Sequence, residues 1–94
     1  MALIDDVKDY LRESGNDLNT EIQDLIDSAK ADLVLSGVHE SKVVETDPLI
    51  KRAITIYCKA HFGYDEQAEK FQKSYDMLKT HLTLSQEYTV GDVV

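Results

Sequence analysis

The sequence is poor in most of the residues that mark small stabilised or catalytic domains: among 94 residues there are one cysteine, one proline, four glycines and no tryptophan. A lone Cys58 cannot close an internal disulfide or supply a multi-thiolate zinc site, so an intracellular chain without a metal or other cofactor is expected. No window approaches the roughly 18 consecutive apolar residues that a spanning helix needs, which predicts a soluble protein with no membrane partner. Asp5, Asp6 and Asp9 stand where a secretory signal would carry positive charge, so export is not expected. Positive charge is scarce throughout, with 10 basic against 18 acidic residues and a net charge of −8. Such a surface repels phosphates and argues against a protein that reads nucleic-acid sequence. There is no Gly-rich phosphate loop, nucleophile elbow, HExxH or EF-hand motif, no repeat and no low-complexity run.

What is present is enough to fold. The chain is 43% hydrophobic and 30% charged, an ordinary globular balance. Its length predicts one domain, and a domain this small buries only about 60 to 65% of its unfolded surface, so further burial against partners is expected. The few glycines and Pro48 punctuate four helical segments, predicting an all-α bundle. Leu3, Ile4, Val7, Tyr10 and Leu11 recur at helical spacing over about residues 2 to 13, with Ser14-Gly15-Asn16 as the stop. Leu18, Ile22, Leu25, Ile26, Ala29 and Leu33 form a second stripe, with Asn16 or Asp17 as N-cap and Gly37 as the end.

Residues 38 to 46 show no 3.6 period and predict an extended loop, in which Lys42 to Glu45 is a candidate short strand. Asp47-Pro48 is an N-cap followed by proline at the first helical position. Leu49, Ile50, Ala53, Ile54, Tyr57, Cys58 and Ala60 then cover more than half of the third helix, which predicts that it lies at the centre. Gly63 should end it and Asp65 should cap a fourth helix to about Thr83, with Ala68, Phe71, Tyr75, Leu78 and Leu82 as its seam. The β-branched residues from Gln86 to Val94 predict a mobile C-terminal tail, giving a helical domain over 1–85 and a flexible 86–94.

Candidate chemistry is sparse. Cys58 and His61 lie three apart on one helical face, a spacing that a thiol nucleophile could use, but they occupy the most apolar helix, where a buried cysteine acts as a small hydrophobe. His39 and His81 are too remote in sequence to be assigned to one site. The acids Asp5, Asp6 and Asp9 and the face Asp17, Glu21, Asp24 and Asp27 could offer oxygens to a divalent cation, yet nothing fixes the six to eight ligands of a built site, and a solvated face is the plainer reading. Tyr57, Tyr64, Phe71 and Tyr75 read as core and interface aromatics, because a base-stacking platform also needs a basic groove. The prediction is a protein that is not an enzyme.

The opening from Leu3 to Leu11, the run Leu25-Ile26-Asp27-Ser28-Ala29-Lys30, and Asp47-Pro48-Leu49-Ile50-Lys51-Arg52-Ala53-Ile54 leading into Tyr57, His61 and Phe62 resemble the small all-helical head-tail connector (adaptor) proteins of tailed bacteriophages, often labelled DNA-packaging proteins. The resemblance covers about residues 1 to 84; residues 38 to 46 and those after Ser85 match no motif of that family closely. It implies a structural virion protein at the head-tail junction, assembled in the bacterial host cytoplasm as a homo-oligomeric ring, generally of about twelve copies. The ring would dock on the portal protein, continue the channel through which DNA passes without sequence-specific binding, support packaging and retention of DNA, and carry a stopper or tail-completion protein.

Charge is divided unevenly, with twelve acids and four bases in residues 1–47 and six of each in 48–94. This predicts a contact between unlike faces of neighbouring copies: the acids Asp17, Glu21, Asp24 and Asp27 on one side, the basic strip Lys51, Arg52 and Lys59 on the other. Val43, Val44, Tyr88, Val90, Val93 and Val94 lie outside any helical stripe and are further candidates for a partner interface, ordering on assembly. Self-repulsion at −8 per copy predicts a monomeric or weakly associated protein in dilute low-salt solution. The alternative from another class is a small acidic regulator of a phage or mobile element that binds one host protein.

Overall fold

Asp47-Pro48 starts a helix as predicted: one Asp47 carboxylate oxygen accepts the N–H groups of Leu49 at 2.9 Å and Ile50 at 3.2 Å, and Pro48 fills the first helical position. The computed structural model describes residues 3–13, 15–62 and 66–90. Among them the order is α1 (Leu3–Leu11), α2 (Asn19–Ser36), a 3-10 turn (Glu40–Lys42), α3 (Pro48–His61), α4 (Ala68–Leu84) and α5 (Gln86–Thr89). The all-α architecture is the predicted one. Ser14, Gly63, Tyr64, Asp65, Val93 and Val94, named above for roles in punctuation, capping, stacking or interfaces, lie outside the described residues.

The core is built from one stripe per helix: Leu3, Val7 and Leu11 of α1, Ile22, Ile26, Ala29 and Leu33 of α2, and Tyr75 and Leu82 of α4 converge on α3. α3 packs against all three and is the central helix. The enclosure is wide enough to bury Ile56, on the opposite side of α3 from Ile54, while Leu49 in the first turn remains 44% exposed. Ile56 therefore replaces Leu49 in the predicted apolar arc. The reason is tertiary: Ile56 lies where both α1 and α4 come against α3, whereas Leu49 stands in an exposed first turn.

Two helix ends use the same hydrogen-bond pattern. Arg12 N–H donates to Asp9 O and Glu13 N–H to Lys8 O, while Gly37 N–H donates to Val34 O and Val38 N–H to Leu33 O. Both close orphan carbonyls through a residue of positive φ, 62° at Arg12 and 121° at Gly37. α1 consequently stops before Ser14-Gly15-Asn16. The expected N-cap of α2 is also corrected: Leu18 holds that position, and Asn16 Oδ1 accepts from Lys8 Nζ at 3.2 Å and Asn19 Nδ2 at 3.3 Å, tying α1 to α2.

Residues 38–46 are a loop as expected, with a 3-10 turn at Glu40–Lys42 and no strand at 42–45. A lone strand without a partner would leave its backbone groups unpaired, whereas the 3-10 turn satisfies them locally, with Lys42 N–H on His39 O and Ser41 N–H on His39 Nδ1. Val38 is buried, Val43 packs against the core, and Glu45 accepts from Leu3 N–H at 3.1 Å and Lys30 Nζ at 3.3 Å. The segment expected as a tail is helical over part of its described residues, Gln86–Thr89. Tyr88 is buried, and Tyr88 O accepts the N–H of His39 at 2.8 Å. Burial of one large aromatic outweighs the extended preference of its neighbours.

Candidate interaction surfaces

The acidic residues expected at an interface occupy one exposed surface. Asp17 lies just ahead of α2, and Glu21, Asp24 and Asp27 project from its solvent face, opposite Ile22, Ile26, Ala29 and Leu33. Only the N-terminal half of this face is acidic. Its C-terminal half presents Ala31, Val34 and Leu35, the last 87% exposed, beside a shallow depression that also touches Val43. Val44 and Val90 are exposed, and Tyr88 is not.

The basic strip of α3 is engaged within the chain. Lys51 Nζ lies 2.8 Å from Asp6 Oδ2 of α1, and Lys59 Nζ stands 6.0 Å above the Tyr10 ring and 5.7 Å from the centre of Phe71. Arg52 is exposed on a ridge. It lines both a groove of about 310 Å³ between α1 and α3 and a larger one of about 750 Å³ between α3 and α4. The larger groove has Ile56 and Leu78 against its inner side and Lys70, Lys73 and Met77 along α4. The seam reading of α4 accounted only for its inward residues; period analysis of the opposite stripe, Lys70, Lys73, Met77 and Leu84, is the signal that would have found this surface.

A second feature absent from the sequence reading links α2, α3 and α4. Tyr75 Oη donates to Asp32 Oδ2 at 2.5 Å, and Lys79 Nζ reaches the same oxygen at 3.0 Å while standing 5.1 Å from the centre of the Tyr75 ring. Tyr57 packs edge-on to Tyr75 at 5.1 Å between ring centres and against His61 at 4.3 Å. Partial burial opposes the charge on Asp32, but the hydrogen bonds from Tyr75 and Lys79 outweigh it and hold the carboxyl below its ordinary value. Burial, reinforced by the hydrogen bond to Asp32, pushes the Tyr75 phenol up. The group is a charged clamp between helices 43 to 47 residues apart.

Cys58 is fully buried, and burial pushes its thiol up to about 12. It is therefore protonated at neutral pH, the opposite of an activated nucleophile, and His61 is exposed and stacked on Tyr57. Among the described residues no three His, Cys, Asp or Glu side chains converge on a point that could hold a metal ion, and no helix is long and apolar enough to cross a membrane.

The surfaces are those of a small helical body with little internal chemistry, and the sequence places that body: the family model described as phage connector protein matches residues 3–89. The chain belongs to the phage connector protein family. The match takes in residues 38–46 and α5, the segments that resembled the family least, and both are packed parts of the same fold. A connector is a structural component of the virion, and the chain has a head-tail connector role in that general sense. No curated protein and no solved structure matches it.

Proposed function

We propose that this chain is the repeating subunit of a ring at the head-tail junction of a tailed phage, docked beneath the portal. The ring continues the DNA channel and presents the surface to which a stopper or tail-completion protein attaches. The observation that carries this reading is the family match over 87 of the 94 residues, from 3 to 89, which spans every described helix. Electrostatics supports it. A subunit of net charge −8 offers passing phosphates no net attraction, so a duplex can move through the ring without adhering. A small single body also suits a repeated part, because closure of a ring requires only one pair of unlike faces per copy.

Electron microscopy of the chain mixed with its cognate portal tests the reading. The expected result is a second ring stacked coaxially on the portal, of about the portal's own copy number. Binding to a host protein with no ring, alone or on the portal, would overturn it in favour of the acidic regulator.

A further inference from the structure

Two exposed stripes, each pointing away from the buried residues of its own helix, have the same layout. On α2, Asp24, Ala31 and Leu35 fall on one line pointing away from Ile22, Ile26 and Ala29: acidic at the N-terminal end, apolar at the C-terminal end. On α4, Lys70, Lys73, Met77 and Leu84 fall on a line pointing away from Tyr75 and Leu82: basic at the N-terminal end, apolar at the C-terminal end. Met77 is 67% exposed and Leu84 79%, beside 87% for Leu35, so these apolar side chains are open to a partner. Asp24 to Leu35 and Lys73 to Leu84 are both eleven residues, about 16.5 Å along a helix. Laid side by side in the same direction, the two stripes put acid against base and leucine against leucine. Reversed, they put acid against leucine.

The fold supplies that direction. Asp32 of α2 meets Tyr75 and Lys79 of α4, and Gly37, just past the end of α2, faces Thr83 in the last turn of α4, so that a methyl added to Gly37 would lie 3.8 Å from the Thr83 side chain. α2 and α4 therefore run the same way within one copy. In a ring whose axis lies along them, every copy keeps that sense, and α2 of one meets α4 of the next in parallel.

We infer that the outer stripe of α2 on one copy seats along α4, at the mouth of the α3–α4 groove, on a second copy of this chain. This inference rests on the ring reading above and specifies its contact. Among the described residues Lys73 pairs on its own surface with Glu69 at 3.7 Å, a pair exposed on both sides and readily exchanged for a carboxylate held in a closed interface. Arg52 on the far rim of the groove adds a second cation facing the same acidic segment. The contact is heterologous, since the two faces differ, and it leaves the Lys51–Asp6 pair undisturbed within each copy.

The test uses the full chain at the concentration, or on the portal, at which the parent forms rings. Asp24→Lys and Lys73→Glu, each exposed and each expected to melt as the parent does, should lower association by about tenfold or more. The double variant should recover it. An equimolar mixture of the two single variants should recover it as well, in rings of alternating copies, because the matched faces lie on different chains. Chains carrying Leu35→Cys mixed with chains carrying Leu84→Cys should cross-link as heterodimers, while neither alone should, with the parent and its buried Cys58 as control. Rings that survive either reversal, or a mixture and double variant that stay dissociated, overturn the contact while leaving the ring reading intact, as does cross-linking of Leu35→Cys chains to one another. A parent that forms no ring, alone or on the portal, overturns the ring reading and this contact with it.

Discussion

The Tyr88 hydroxyl donates to the Asp47 carboxylate, 3.0 Å from one oxygen and 3.2 Å from the other. The same carboxylate caps the N-terminus of α3, where the helix dipole also favours negative charge, so one side chain joins the C-terminal segment to the start of the central helix. Tyr88→Phe removes the hydroxyl but keeps the ring, and is expected to cost about 1 to 2 kcal/mol in urea denaturation. Truncation after Ser85 uncovers the buried site and should cost more, about 3 kcal/mol or above. A truncated chain that melts like the parent would contradict the packing of α5.

Alkaline pH should destabilise the fold. Burial raises Cys58 from 9.0 and Tyr88 from 10.0, each to about 12, and raises Tyr75 from 10.0 as well. Each folded-state group holds its proton more tightly than in the unfolded chain. Their contribution is therefore complete below the unfolded values and is lost as pH rises through them toward about 12. Denaturation midpoints should hold until about pH 9 and then decline, with a smaller decline in Cys58→Ala.

Cys58 serves packing. Cys58→Ala should cost about 1 to 2 kcal/mol and leave assembly unchanged. A thiol reagent should modify the parent at pH 7 only at the rate of unfolding; rapid labelling of the folded chain would show the site to be open.

Arg12 adopts a φ of 62°, a conformation that favours glycine, at the C-terminus of α1. Arg12→Gly is expected to raise stability by about 0.5 to 1 kcal/mol. Gly37→Ala, at φ 121°, should lower it by about 1 kcal/mol or more, although Thr83 leaves room for the added methyl at 3.8 Å, which isolates backbone strain from crowding.

Ile54 is fully buried on the central helix. Ile54→Asp places an unpaired charge there, at a cost of several kcal/mol against a total of about 5 to 15, and should abolish cooperative melting. A soluble variant with a sharp transition would contradict the central placement of α3.

Much of this was determined by the sequence alone. The Asp47-Pro48 start of α3, the inward stripe of α2 and the seam of α4 each follow from residues within a few positions of one another, because capping and helical periodicity are local. The acidity of α2 was legible for the same reason: Glu21, Asp24 and Asp27 share a face by spacing alone. Tertiary structure decided what depends on residues distant along the chain. Asp6 and Lys51, Asp32 and Tyr75, and Asp47 and Tyr88 are 41 to 45 positions apart, and nothing in their spacing selects one partner over another. Those meetings turned part of an expected basic interface into an internal ion pair, packed an expected mobile segment as α5, and set α2 and α4 running in the same direction. A helix is written in nearest neighbours, whereas the pairing of charges and the burial of one tyrosine are set only when the helices come together.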